Sequence, residues 1–415
     1  MTKEIEILDA LPGCGKTTSI FRYMSENQSN PWIYLSPLKD EINERVQEEA
    51  DKNSMEFFRA TEDNDFTMTE QVLEALQGGV NVACTHALMM RFQKEHIDAI
   101  RENKYNIVCD EELNLISGYA LSKEDIDFLI KHNLITVSDK DGKVSFTDSE
   151  MSLDARYGEV KQLCDMECLF SAKRSNKMLV TQLSSRLITA SERFILLTYN
   201  YNGSIMQTFM QMHGFVFKEI SDVKLFKTEK DIKQKLISLI ELVETPSIKK
   251  IQQKYALSKS WWINASKEER KVVTKAMKSV VVGGKFKNDD VFFTLPKNCV
   301  IKATNSKIEV ISSSNLPKSN FVACNTRATN KLAHKKLGIH AYNLFPNTAV
   351  KSYMQDMGYT CNDDVYALNM LLQWIFRGCI RKDEKMKVAI LAKKMSILFK
   401  NWLEIQTIES KIVLS

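Results

Sequence analysis

The chain predicts an α/β protein built on parallel strands, and three observations carry that prediction. Ile5 to Leu8 is an apolar strand that runs into Ala10-Leu11-Pro12-Gly13-Cys14-Gly15-Lys16-Thr17, a glycine turn opening directly into a helix. Asn106-Ile107-Val108-Cys109 is a second short apolar run, closed by Asp110, Glu111 and Glu112. Runs of this kind read as strands buried on both faces of a parallel sheet. Strand and helix signals also alternate through the first half of the chain, as in βα units.

The first element is the most specific. Ala10 to Thr17 has the spacing of the phosphate-binding P-loop, G-x-x-x-x-G-K-[ST], with alanine in the first position. Gly13 and Gly15 let the backbone curl so that successive N–H groups point at a phosphate. The helix that starts near Lys16 adds the positive end of its dipole. Pro12, Gly13, Cys14, Gly15, Lys16, Thr17 and Thr18 are the expected nucleotide cradle. Lys16 is expected to reach the β- and γ-phosphates of ATP, and the Thr17 hydroxyl to sit on Mg²⁺. A glycine turn with a chance lysine is the plain alternative, and it leaves the Lys-Thr pair unexplained.

The acidic run supplies the partner a P-loop needs. In a doubly wound sheet, ligands sit at the carboxyl ends of the strands. Asp110 is there expected to hold Mg²⁺ through water, and Glu111 to orient and deprotonate an attacking water. An acidic loop after a core strand would look similar in isolation. Together with the upstream loop, the pattern is that of an enzyme, an NTP hydrolase.

Composition bounds the rest. At 415 residues the chain is long enough for two or three domains. With 14 Gly and 7 Pro, it falls well under the usual shares of about 7% and 5%, which predicts a helix-rich protein with few long loops. Nine cysteines are scattered, several inside apolar strands (Cys84, Cys109, Cys324), a pattern of reducing compartments. Cys164 and Cys168 form a lone C-x-x-x-C with no second Cys/His pair, so no zinc site is read. No apolar run reaches membrane-spanning length and no signal peptide precedes the first strand; a cytoplasmic protein is expected. A net charge of +5 permits a nucleic-acid partner without requiring one.

Further elements follow in order. Trp32 to Leu35 reads as a strand, leading through Ser36-Pro37-Leu38-Lys39 into a charged helix. Val80 to Thr85 and Phe194 to Thr198 read as strands, with a helical insertion at about 120–190 between them. Residues 226–290 are lysine-rich and mostly helical, with Ser258-Lys259-Ser260-Trp261-Trp262 inside them. From about 291 a second strand-and-helix unit begins, including strands at Phe321–Cys324 and Val388–Leu391. The expected organisation is therefore 1–225, a connecting segment 226–290, and 291–415.

The helix expected over about 365–381 carries the other informative group. Gln373, Arg377 and Arg381 stand at i, i+4 and i+8, drifting only about 40° per step on a helix, so all three would point one way. A glutamine that touches the nucleotide and a guanidinium that neutralises transition-state charge suit such a face. A basic face bound to solvent or nucleic-acid phosphate is the plain alternative.

These motifs resemble those of the superfamily-two helicases, and more narrowly the short bacteriophage DEAD-like helicases. The matching stretches span most of the chain: the P-loop, Tyr34-Leu35-Ser36-Pro37-Leu38, Cys84-Thr85-His86-Ala87-Leu88, Asp110-Glu111-Glu112, Leu196-Leu197-Thr198-Tyr199, Leu257 to Trp262, Asn325-Thr326-Arg327-Ala328-Thr329-Asn330 and Ala367 to Arg381. The resemblance implies a P-loop NTPase with two RecA-like lobes, parallel sheets and helix-rich insertions, and ATP held between the lobes. It implies a nucleic-acid track over both lobes, with Pro37, Lys39 and Thr85 in the first and Arg327, Thr329 and Asn330 in the second. Trp261 and Trp262 would either stack on bases or pack in the helical segment. His86 reads more readily as a satisfied loop histidine than as a ligand.

The chain departs from the pattern in places. Phe376 stands where the last motif has glycine, and Arg381 lies one residue beyond its final arginine, so Arg377 and Arg381 both stay open as the finger. Only the threonine of Thr198-Tyr199 fits a Ser-Ala-Thr coupling motif. The expected function is an ATP-dependent DNA helicase or translocase of phage replication or recombination, with DNA favoured over RNA and phage replication proteins as further partners. An ATP-gated nucleic-acid-binding switch and a P-loop phosphotransferase are the alternatives.

Overall fold

A computed structural model describes residues 3–62, 65–111, 116–147, 156–172, 178–227, 229–300, 315–324 and 331–414. The chain forms two compact units. The first comprises residues 1–10, 15–226 and 346–362; the second comprises 11–14, 227–345 and 363–415.

The first unit carries β1 (Glu4–Asp9), β2 (Trp32–Ser36), β3 (Val82–Thr85), β4 (Asn106–Asp110), β5 (Ile116–Tyr119), β6 (Ile135–Val137), β7 (Val144–Phe146), β8 (Leu169–Ser171), β9 (Leu179–Gln182), β10 (Phe194–Thr198) and β11 (Val216–Glu219). Six of them make one parallel sheet in the order β11-β1-β10-β4-β2-β3. Position in the sheet explains composition. The inner strands β2, β4 and β10 are buried at every residue, as their unbroken apolar runs require, while edge strand β11 is largely exposed.

Alternation along each strand divides the core between two faces. Trp32, Tyr34, Val108, Ile195 and Leu197 pack with Ile20, Phe21 and Met24 of helix α1 (Lys16–Glu26). Ile33, Leu35, Ile107, Cys109 and Leu196 face the other layer. The parallel α/β architecture expected from the sequence is therefore present, with β1, which leads into the glycine loop, and β4, which leads into the acidic run, separated by β10 alone.

The segment expected as a helical insertion is mixed. Helices Lys123–Lys131 and Gly158–Asp165 accompany an antiparallel sheet, β5-β9-β8, and the hairpin β6-β7. These strands hold three or four residues each, too few to display a two-residue period against helical neighbours. The same unit takes in residues 346–362, far along the chain. Helix Thr348–Asp356 packs on β5 and β9, burying Ala349, Val350, Tyr353 and Met354. Tyr353 Oη donates to the Asp141 carbonyl at 3.3 Å and accepts from Gln182 Nε2 at 3.3 Å. A Cβ at Gly118 would stand 2.8 Å from Asn347 Nδ2, so glycine permits this approach.

The second unit is built on four parallel strands, β12 (Ile240–Leu242), β13 (Val291–Thr294), β14 (Leu337–His340) and β15 (Met386–Ile390), in the order β12-β15-β14-β13. The lysine-rich segment supplies helices Pro246–Lys254, Lys259–Asn264 and Lys267–Gly283. Phe321–Cys324 does not form the expected strand: Phe321 makes one isolated bridge to Phe293, and Leu337–His340 takes the place beside β13 instead. Among the described residues no helix is long and apolar enough to cross a membrane.

Candidate nucleotide site

The loop between β1 and α1 has the curl its glycines predict. Gly13 and Gly15 adopt φ of 93° and 82°, the left-handed region that side chains disfavour. Cys14 N–H donates to the Leu11 carbonyl at 3.3 Å, and Ala10 N–H ties the end of β1 to the Thr198 carbonyl of β10 at 3.0 Å. α1 begins at Lys16 immediately after Gly15. Lys16 Nζ donates to the Ala10 carbonyl at 2.5 Å, which ties the ammonium to the residue just after β1.

Thr17 and Asp110, 93 residues apart, meet at the start of α1. Both are buried, and Thr17 Oγ1 donates to Asp110 Oδ2 at 3.1 Å. A hydroxyl and a carboxylate side by side are hard oxygen donors of the kind that share Mg²⁺ with phosphate and water, so the residues present fit that ion. Glu111 follows Asp110 with φ of 63°, an uncommon conformation for a residue with a side chain and one often kept at functional turns. Thr18 Oγ1 donates to Glu49 at 3.0 Å, binding the start of α1 to helix Gln47–Lys52.

Several polar residues at this site went unread in the sequence. Asp9 at the end of β1 accepts the Asn200 and Tyr201 N–H groups at 2.7 and 2.9 Å, fixing the turn after β10. Tyr34 Oη donates to Asp110 Oδ2 at 2.5 Å. Glu41 accepts from Ser36 Oγ at 2.8 Å and pairs with Arg45 at 3.1 Å. Burial, then the charge of Asp110, pushes the Glu41 carboxyl up to about 7. Burial works against the Arg45 charge, but Asp110, Tyr34 and Glu41 outweigh it and its pKa is raised. Arg45 lies in a π-helical stretch, Ile42–Val46, an irregularity that often marks functional positions and that nothing in the sequence announces.

The other predicted residues fall as follows. Lys39 pairs with Glu62 at 2.7 Å on the surface, and Pro37 is half-buried. Thr85 caps the short helix His86–Met89, its hydroxyl accepting from Leu88 N–H at 3.1 Å. Arg327, Thr329, Asn330 and Glu112 lie outside the described residues. Trp262 is a packing residue: it is fully buried and its Nε1 donates to the Ala341 carbonyl at 2.9 Å. Trp261 is half-buried against Tyr255 and Trp262.

The second unit's helix is shorter than expected. It runs Asp363–Ile375 and carries Gln373, but Arg377 and Arg381 lie beyond its end, so the three do not share one helical face. The chain breaks at Gly378, where a Cβ would come within 2.6 Å of Met386 Sδ and 3.1 Å of the Lys335 carbonyl. A short 3₁₀ turn, Cys379–Lys382, follows. Arg377 is buried, whereas Arg381 is exposed and its Nε donates to the Phe376 carbonyl at 2.7 Å.

Comparison with known proteins finds relatives for the whole chain. Residues 234–403 match the family described as the YonV C-terminal Rossmann-like domain, and residues 116–180 match the YonV middle domain. The chain is 25% identical to the SPbeta prophage-derived uncharacterized protein YonV of Bacillus subtilis (strain 168), over 97% of this chain and 100% of the relative. Similar solved structures include S. tokodaii Xpd4 (TM-score 0.41, 14% identity, 95% of this chain and 92% of that one). The DUF1998 helicase MrfA (TM-score 0.31, 9% identity, 94% and 46%) and S. cerevisiae Dbp5 bound to RNA and ADP BeF3 (TM-score 0.29, 11% identity, 98% and 83%) are also similar.

Proposed function

We propose that this chain is an ATP-dependent helicase or translocase that works on nucleic acid, with DNA favoured over RNA. The observation that carries the reading is the hydrogen bond of Thr17, which follows the loop's Gly15-Lys16, to Asp110 at the end of β4, with Glu111 next in the chain. Bound Mg·ATP supplies a phosphoryl group whose transfer to water is the energy source. The chain's own residues then have distinct tasks. Gly13 and Gly15 shape backbone donors for the phosphates, Lys16 leaves the Ala10 carbonyl to place positive charge there, and Thr17 and Asp110 hold the metal. Glu111 orients water and takes its proton. Gln373 with Arg377 or Arg381 completes the charge on the γ-phosphate.

Pro37, Lys39 and Thr85 in the first unit, with Arg327, Thr329 and Asn330 in the second, are the proposed contacts to the phosphate backbone, which makes binding sequence-independent and salt-sensitive. The prophage origin of the relative supports a bacteriophage setting, and a place in phage DNA replication or recombination is part of the proposal. The test is steady-state ATP hydrolysis with and without single-stranded DNA, duplex DNA and RNA at low and moderate salt. Stimulation by one nucleic acid is expected. Hydrolysis indifferent to all three would refute the motor reading, and a chain that neither binds nor hydrolyses ATP would refute the nucleotide site.

A further inference from the structure

The strand that follows α1 carries a hydroxyl with no evident reason to be buried. Tyr34 is fully buried in the middle of β2, an apolar strand in which phenylalanine would pack as well. Its position in the sheet supplies the reason. β2 lies beside β4, with Tyr34 opposite Val108 and Leu35 opposite Cys109. Asp110 is therefore diagonal to Tyr34 on the same face, within reach of a long side chain. Tyr34 Oη donates to Asp110 Oδ2, the oxygen that also accepts from Thr17 Oγ1.

The contact closes a ring of support. Thr17 and Phe21 stand one turn apart on α1. Thr17 holds the carboxylate, and the Phe21 ring lies against the Tyr34 ring with centroids 4.9 Å apart. Phe21 also meets Phe57 at 5.7 Å, so the tyrosine ring is fixed from the helix layer. Two hydroxyl donors on one carboxylate oxygen set the plane of the Asp110 group and commit Oδ2 to the protein, leaving Oδ1 for the metal shell. The charged groups nearby are Glu41 and Arg45 from the helical stretch after β2, with Glu111 next in the chain.

We propose that Tyr34 is a positioning residue for the Mg²⁺ site: its hydroxyl holds the Asp110 carboxylate in the orientation that receives the metal. The inference rests on the nucleotide reading given above and deepens it. Residues that hold a metal ligand from behind change metal affinity by about 10- to 100-fold when removed.

The experiment measures binding of a fluorescent ADP analogue to the full chain, first in EDTA and then across a Mg²⁺ titration. Tyr34→Phe keeps the ring and removes only the hydroxyl. It is expected to bind the analogue in EDTA as the unaltered chain does, and to need about tenfold more Mg²⁺ or beyond for the same gain in affinity. Tyr34→Leu, which also loses the ring packing, reports what a purely structural loss does, and thermal unfolding of both variants is recorded alongside. An unchanged Mg²⁺ midpoint in Tyr34→Phe, or a shift only in Tyr34→Leu, overturns the role of the hydroxyl while leaving the nucleotide site intact. Failure of the unaltered chain to bind the analogue at all overturns both the nucleotide reading and this inference.

Discussion

His340 gives a prediction whose size follows directly from its surroundings. It ends β14 and is wholly buried, and among the described residues neither ring nitrogen has a hydrogen-bond partner. The ring stands edge-on to Trp374 with centroids 5.3 Å apart, and its register partner across the sheet is Thr294. Burial pushes the imidazole down to about 3 from its usual 6.5. A depressed histidine is neutral in the folded chain, so the stability it protects is whole above about pH 6.5 and is lost as the pH falls toward the folded value. Each pH unit in that window costs about 1.4 kcal/mol, so a drop from pH 6.5 to about 4.5 costs about 3 kcal/mol. His340→Leu keeps an apolar side chain there and removes both unsatisfied nitrogens, each an expensive group to bury. Urea unfolding followed by tryptophan fluorescence, on both proteins from about pH 7.5 to 4.5, is the assay. The variant is expected to be the more stable, with a margin that widens by about 3 kcal/mol on acidification. A margin that stays constant with pH would refute the reasoning, because it would mean that the ring takes up its proton in place.

Three further outcomes follow from the same kind of bookkeeping. Glu111→Gln is expected to lower ATP turnover by about 100-fold or more while nucleotide binding persists, and normal turnover would remove Glu111 from its proposed role. Glu41 works in the opposite pH direction to His340: its carboxyl is raised to about 7, so its contribution is whole below the usual carboxylate value and is lost as the pH rises through 7. Against Glu41→Gln, the unaltered chain should therefore lose unfolding free energy as the pH rises from about 4.5 to 7, read by urea titration, and parallel pH profiles would contradict this. Gly142 combines φ of 74° with a Ser171 carbonyl that an added Cβ would meet at 2.4 Å, so Gly142→Ala should lower stability by about 2 kcal/mol or more in urea titration.

What the sequence disclosed and what it concealed divide along a physical line. Features set by near neighbours were readable: the loop from Ala10 to Thr17, the apolar strands around Trp32, Val108 and Leu196, and the carboxylates that close β4. Features set by strand order were not. Tyr34 looks like one more core aromatic until β2 is known to lie against β4. Glu41 and Arg45 look like part of a charged helix until burial brings them near Asp110. The helix that was to present Arg377 and Arg381 fails for a different reason. It stops at Ile375, and the chain then runs through Gly378, where Met386 and the Lys335 carbonyl, from other parts of the chain, leave no room for a Cβ. Trp262 carried the opposite ambiguity, and burial resolves it toward packing.

Residues 346–362 reach back to the first unit from the far end of the sequence, and this bears on how the chain is made. Ala349, Val350, Tyr353 and Met354 belong to the core that β5 and β9 help to build. On the ribosome that core stays unfinished well after Phe226 has emerged, for roughly ten seconds at ordinary elongation speeds. Throughout that wait an apolar face on the growing polypeptide is open to chaperones or to its own later segments. The same order governs dissection in the laboratory. A fragment cut after Phe226 carries Pro12 to Thr18, Asp110 and Glu111, yet lacks the wedge that closes its interior, whereas a permuted chain with 346–362 spliced to it would restore that wedge.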